Sequence, residues 1–329
     1  MNFTPSYISL LNSGEFNERL KNLDQLMANC TICPHGCQVD RKTGETGLCK
    51  SGINPIISSY TLHYGEEPII SGTNGAGNIF FGNCNLKCVY CQNYEISQNW
   101  KTEKKFETSP EKLAEIMLLL QSRKAHNIGL VSPTHFSIPI LKAIKIAAEN
   151  GLTIPIIYNS NGYDSAKILK LFNGVIDIYL PDIKYGCNEN GKLYSNAENY
   201  FDRTKEAVKE MFRQVGDKLI IENNLAKRGI IIRHLILPNR LAETENVLKF
   251  ISQELSKNIF VSLMSQYYPS NKAAQFLLLN RTINENEYNR SINLLDKYEL
   301  QNGWIQEMES HNIYKPNFTL NRVHPFNNY

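Results

Sequence analysis

The sequence predicts an α/β protein. A parallel sheet of six strand–helix units follows a cysteine-rich N-terminal extension and precedes a helical, then irregular, C-terminal tail. Three observations carry that expectation. Short runs rich in Ile and Val recur along the chain, apolar on successive residues, as in strands buried on both faces of a parallel sheet. Helical spacings of apolar residues fill the gaps, and strand alternating with helix gives a parallel α/β architecture. Seven of the eight cysteines fall into two tight groups near the N-terminus, 30–49 and 84–91, outside that regular alternation. Six units suit an incomplete barrel and an open doubly wound sheet equally. Either one places catalytic groups at the carboxyl ends of the strands.

Taken in order, the opening ~29 residues carry a weak helical pattern. Residues 30–55 are rich in Gly, Cys and charge, and read as irregular backbone tied by something other than a core. The strands are expected at 78–81 (NIFF), 128–132 (IGLVS), 154–158 (IPIIY), 175–180 (VIDIYL), 229–237 (GIIIRHLIL) and 259–264 (IFVSLM). Gly72, Gly75 and Gly77 read as a turn into the first of these, since no helix follows directly to make a phosphate cradle. Between the strands, Ser109 caps a helix with Pro110 at its first position and Leu113, Ile116, Met117 and Leu120 on one face. A second helix covers 140–150 and stops at Gly151. Further helices are expected at 197–215, around Val247, Phe250, Ile251 and Leu255, and at 285–298. Residues 218–232 suggest a hairpin turning at Glu222-Asn223-Asn224. The division that results is an extension over 1–70, a core over 71–270 and a tail over 271–329.

Composition narrows the function classes. The 35 basic and 32 acidic residues leave a net charge of +3, which gives no reason to expect nucleic acid or a membrane surface as partner. The first residues lack the basic start and apolar run of a secretory signal, and no apolar stretch approaches the ~18 residues of a membrane span. A cytoplasmic location is expected, and there clustered cysteines are metal ligands or redox groups before they are disulfides.

Cys84, Cys88 and Cys91 are spaced C-x3-C-x2-C directly after the first strand, on a loop at its carboxyl end. A structural zinc takes four protein ligands, whereas three thiolates on a four-iron cluster leave one iron open to another molecule. Cys30, Cys33, Cys37 and Cys49 are spaced C-x2-C-x3-C-x11-C in a segment too polar to fold unaided. A structural zinc, an auxiliary iron–sulfur cluster and a set of metal-free redox thiols all suit that spacing. Cys187 reads as an ordinary loop thiol, Tyr158 and Tyr179 as core, and His135 and His234 as structural histidines.

The stretch GNCNLKCVYCQNY resembles the cysteine motif of the radical S-adenosylmethionine superfamily. GEEPIISGTNGAGNIFF, VSPTHF, PIIYNSNGYD, DIYLPDIKY, IIIRHLILPN and VSLMSQYYP resemble the group of proteins similar to pyruvate formate-lyase-activating enzymes. The resemblance implies a partial (βα)6 TIM-like barrel and a [4Fe–4S] cluster on Cys84, Cys88 and Cys91, its open iron chelated by S-adenosylmethionine. It implies an oxidoreductase in which an electron from a donor such as flavodoxin or ferredoxin cleaves that cofactor to a 5′-deoxyadenosyl radical. The radical takes a substrate hydrogen, from a partner protein made into a glycyl radical, from a peptide, or from a small molecule. Residue by residue, Ser132 and Thr134 stand where the superfamily commonly has a Gly-Gly-Glu turn for the cofactor's amino group, here without a carboxylate. Asn159 and Asn161 match a polar turn near the ribose, Asp182 and Lys184 an Asp-x-Lys beside the cofactor carboxylate, and Arg233 an arginine that pairs with it. On the sixth strand Ser265-Gln266-Tyr267 replaces the activating enzymes' histidine. Against these roles stand ion pairs of purely structural kind for Asp182, Lys184 and Arg233. A non-enzymatic zinc-binding interaction or sensing protein is the competing reading of both cysteine groups.

Overall fold

A nine-stranded sheet organises the chain in a computed structural model that describes residues 3–21, 23–312 and 315–326. The strands are β1 (Ile57–His63), β2 (Ala76–Phe81), β3 (Ile128–Val131), β4 (Ile156–Ser160), β5 (Ile178–Pro181), β6 (Ile220–Glu222), β7 (Leu225–Leu235), β8 (Phe260–Met264) and β9 (Gly303–Ile305). They run in the order β1-β2-β3-β4-β5-β7-β8-β9, with β6 attached to β7. β1 is antiparallel to β2 and β6 to β7, and every other pairing is parallel.

The six expected strands overlap β2, β3, β4, β5, β7 and β8; the bounds coincide at the end of β2, the start of β3 and the end of β8 and differ by one to four residues elsewhere. The parallel run also includes β9, so it holds seven strands against the six expected. β9 has three residues and β1 mixes Ser, Thr and His with its apolar positions, so neither offers an Ile/Val run to read. The hairpin forms at β6–β7, where Asn223 and Asn224 take φ of 53° and 60°. A two-residue connection with both residues left-handed matches the twist of its strands, and Asn tolerates it.

Helices cover one face of the sheet. Pro110–Ser122 is capped by Ser109, whose hydroxyl accepts from the Lys112 N–H. The next helix, Ser137–Glu149, starts three residues before the expected 140, with Pro139 inside its first turn, where the missing N–H has no helical partner anyway. Asn188–Ser195 and Tyr200–Val215 follow β5, Thr244–Phe250 continues as a wide turn over Ile251–Leu255, and Glu285–Lys297 opens on a capping box of Asn284 and Glu287. Strand residues such as Ile79, Phe81, Ile156 and Ile232 bury into this helical layer. Their neighbours Ile157, Ile178, Leu180 and Ile231 point the other way, as the two-residue pleat requires, and form a separate inner cluster. Ile70 from the short helix Pro68–Ser71 plugs one end of that inner face. Gly72 ends the plug at φ 48°, where an added Cβ would sit 2.5 Å from Leu225.

Three short N-terminal helices, Ser6–Ser13, Glu15–Leu20 and Asp24–Ala28, lead into an irregular segment whose one helical turn is Arg41–Thr43. The tail, residues 315–326, returns to β1. No helix among the described residues is long and apolar enough to cross a membrane.

Candidate active site

The cysteine loop leaves the carboxyl end of β2 and is clamped by three backbone hydrogen bonds to two other segments. Lys87 and Val89 donate backbone N–H groups to Ser195 and Tyr194 carbonyls, each at 2.9 Å, and Lys272 donates to Val89 at 2.8 Å. These bonds fix a stretch with no regular structure of its own. Each thiol has a polar neighbour. Cys84 Sγ accepts from Leu86 N–H and Asn161 Nδ2 at 3.4 Å each, the Ser195 hydroxyl donates to Cys88 Sγ at 3.0 Å, and Cys91 Sγ lies 3.3 Å from Ser97 Oγ. Burial pushes the Cys88 thiol up to about 12 and raises Cys91 as well, so their thiolates form when a metal displaces the proton. No three Cys, His, Asp or Glu side chains among the described residues converge on a single ion. Cysteines at the corners of a cluster each take a different iron, so three soft sulfur donors spread around one cavity suit a cluster better than one zinc.

That cavity, of about 300 Å³, lies over the inner face of the sheet, with Cys84, Cys88 and Cys91 in its wall. Its floor is a charged network. Arg233 on β7 engages all three of its nitrogens: Nε with Asp182 Oδ1 at 2.8 Å, Nη1 with Glu66 Oε2 at 3.1 Å and Nη2 with Asn159 Oδ1 at 2.6 Å. Lys184 Nζ meets Asp182 Oδ2 at 2.7 Å, and Asn78 Nδ2 donates to Glu66 Oε1 at 2.8 Å. Burial works to raise the Asp182 carboxyl, but Arg233 and Lys184 outweigh it and hold it below the usual carboxylate range. Burial likewise works to lower Lys184 and Arg233, and the facing carboxylates hold both above their usual ranges. The pair is therefore charged across the physiological range.

Six of the seven residues expected at a cofactor, Ser132, Asn159, Asn161, Asp182, Lys184 and Arg233, line this cavity. Thr134 does not. Its buried hydroxyl donates to Asp164 Oδ1 at 2.7 Å, which Tyr158 also reaches at 2.9 Å. Ser132 sits at φ 58°, an uncommon conformation for a residue with a Cβ, at the turn where the superfamily places its glycines. His234 contacts Ile183 O and Thr244 Oγ1 through its two ring nitrogens, and His135 contacts Gly82 O; burial keeps both neutral.

Other lining residues have no role in the sequence reading. Glu66 and Glu67 come from the turn after β1, Gln306 and Trp304 from β9 and its end, and Pro316 and Phe326 from the tail. The GEEP segment was visible in the sequence, but nothing local placed it beneath β7. The tail offered no pattern at all.

The N-terminal cysteines lie against the same loop. Cys30, Cys33 and Cys49 are buried. Arg41, only 4% exposed, donates to Cys49 Sγ at 3.4 Å and to the His135 carbonyl at 2.8 Å. His35 Nε2 meets Asn85 O at 2.7 Å, within the cysteine loop itself. Burial raises the Cys33 thiol, and its three sister thiols add to that shift once ionised. Cys33 thus feels the charge of Cys30, Cys37 and Cys49, with a buried guanidinium against Cys49; thiolates are soft donors.

A family model described as "Radical SAM superfamily" matches residues 78–250, more than half of the chain. The chain belongs to the radical SAM superfamily. Two proteins of Methanocaldococcus jannaschii are similar to it. Uncharacterized protein MJ0674 is 35% identical over 84% of this chain and 76% of that protein, and Uncharacterized protein MJ0808 is 26% identical over 77% and 74%. A solved structure of TYW1 with a lysine-pyruvate adduct bound is similar at a TM-score of 0.42 and 15% identity, covering 67% of this chain and 73% of that one. The radical SAM superfamily implies a [4Fe–4S] cluster, S-adenosylmethionine cleaved by a radical mechanism, and a reductant such as flavodoxin or ferredoxin.

Proposed function

We propose that this radical SAM enzyme holds its cluster on Cys84, Cys88 and Cys91 and abstracts a hydrogen atom from a substrate seated in the cavity beneath. The observation that carries this reading is that all three thiols and the charged floor belong to one cavity. When bound, the reduced cluster supplies the electron that breaks the cofactor's S–C5′ bond and so starts the radical chemistry. The chain's own residues do the rest. The Ser195, Ser97 and Asn161 side chains stabilise sulfur charge. Ser132, Asn159, Asn161, Asp182, Lys184 and Arg233 present donors and acceptors to the cofactor's polar groups, with Lys184 and Arg233 supplying positive charge for its carboxylate. Thr134 acts from behind this layer by holding Asp164.

The cysteines at 30, 33, 37 and 49 form a second metal site, as zinc or as an auxiliary iron–sulfur cluster. Arg41 supports this, since a buried cation against Cys49 offsets thiolate charge. On this reading residues 1–70 brace the cysteine loop, 71–270 carry the chemistry and 271–329 help enclose it. The likeness of several segments to activating enzymes favours a second reading of the substrate, a partner protein converted to a glycyl radical.

Anaerobic reconstitution with iron and sulfide, followed by reduction with dithionite in the presence of S-adenosylmethionine, should release 5′-deoxyadenosine, measured by chromatography. Cys88→Ala should abolish that release and leave the circular dichroism spectrum intact. Normal release from Cys88→Ala would refute the assignment of the cluster.

A further inference from the structure

The cavity floor contains one more negative group than its cations match. Arg233 and Lys184 face Asp182, Glu66 and Glu67, two cations against three carboxylates. Asp182 and Glu66 take the direct ion pairs. Glu67 takes none. It is 8% exposed and lines the cavity, and its Oε2 has no hydrogen-bond partner among the described residues. The groups around it are the Arg233 guanidinium, the Glu66 carboxylate and the Ser262 hydroxyl, with the His63 imidazole also in the lining. Arg233 is turned to its other three acceptors, and burial keeps His63 neutral, so neither closes the gap. A buried carboxylate without a counter-charge is strongly disfavoured and takes up a proton or a cation. The aromatic Phe80, Trp304 and Tyr267 belong to the same lining.

We propose that Glu67 receives a cationic nitrogen of the substrate, an alkylammonium or guanidinium group, in the floor of the cavity. The inference rests on the reading of this cavity as the substrate chamber. It deepens that reading by naming the class of molecule: an amine or guanidine whose charged end binds low and whose remaining atoms extend toward the cysteines. Substrate charge then gives Glu67 the counter-charge that the protein's own floor does not supply.

The reconstituted enzyme tests it directly. The chain has two tryptophans, and Trp304 lines the cavity, so Trp100→Phe leaves Trp304 as sole reporter. Titration with butylammonium and with the neutral butanol should give a dissociation constant at least about tenfold lower for the cation. Saturating S-adenosylmethionine should leave that preference in place, and Glu67→Gln should erase it. Equal affinity for the two probes in the parent protein overturns the proposal without any variant at Glu67. So does an undiminished preference in a folded Glu67→Gln protein, and so does displacement of butylammonium by S-adenosylmethionine, which would give Glu67 to the cofactor. Release of 5′-deoxyadenosine by the parent enzyme is scored separately, so failure of the broader reading is distinguishable.

Discussion

Arg233 gathers the floor of the cavity through one side chain. Asp182, Glu66 and Asn159 come from three different segments and meet only at its three nitrogens. Removing one member of a buried pair leaves the others charged and unmatched, at a cost of about 3–5 kcal/mol. Arg233→Met should lose about that much in urea denaturation, and adding Glu66→Gln should recover part of it. Strict additivity of the two changes would show that they do not interact. Arg233, Asp182 and Lys184 were legible in the sequence because each stands at the end of a recognisable strand. Cys84, Cys88 and Cys91 were legible because their spacing is local. Glu67 was not. Its meaning depends on a counter-charge arithmetic that includes residues more than a hundred positions away, and no window of sequence contains it. Thr134 shows the converse: a residue at the right turn whose hydroxyl is claimed by Asp164.

At the scale of elements, one buried carboxylate ties the N-terminal helix to the sheet. Asp177, just before β5, accepts from Ser6 N–H at 2.8 Å through Oδ1 and from Ile156 N–H at 3.1 Å through Oδ2. Burial pushes its carboxyl up to about 6. The folded protein therefore keeps this proton up to about pH 6, while the unfolded chain releases it near pH 4. Stability from this group falls as pH rises across that window, by up to about 3 kcal/mol, and is flat above it. The difference in unfolding free energy between wild type and Asp177→Asn should shift in the variant's favour from pH 4 to 6, then level off. A flat difference profile would contradict the assignment. Arg41 plays a comparable part for the cysteine-rich extension, joining Cys49 to the loop after β3. If the proposed second metal site is real, Arg41→Leu should lower the metal retained by Cys30, Cys33, Cys37 and Cys49 after chelator treatment, read by elemental analysis, while iron bound at the 84–91 loop persists. The helices were legible because their apolar spacing and caps are short-range. β1 and β9 were hidden because an edge strand of three to seven residues carries too little hydrophobic pattern to stand out.

At the scale of the molecule, the sheet stays open. Its path ends at β1 on one side and β9 on the other, and among the described residues no ladder joins them. The tail spans that side. Lys315 lies over the Tyr268 ring at 4.9 Å, Phe318 packs on Phe80 at 5.4 Å between centroids, and Phe326 meets His63 at 4.3 Å. Arg322 pairs with Glu103, which is 0% exposed, at 2.7 Å, and its carbonyl accepts from Ser59. Truncating a fully buried Phe to Ala loses about 3–5 kcal/mol, here from the docking of one segment. Phe318→Ala should increase acrylamide quenching of Trp304 in the Trp100→Phe background. Unchanged quenching would mean that the tail does not limit access.

The margins of this covering segment are thus held by ring contacts, one ion pair and scattered hydrogen bonds to Glu95, Ser58 and Ser59 rather than by a ladder of backbone bonds. A reactant short enough to fit behind it is indifferent to how firmly those contacts hold. If the cavity is the substrate chamber proposed above, a reactant that must reach out past β1 meets these contacts, and loosening Phe318, Phe326 or Arg322 should favour longer reactants first.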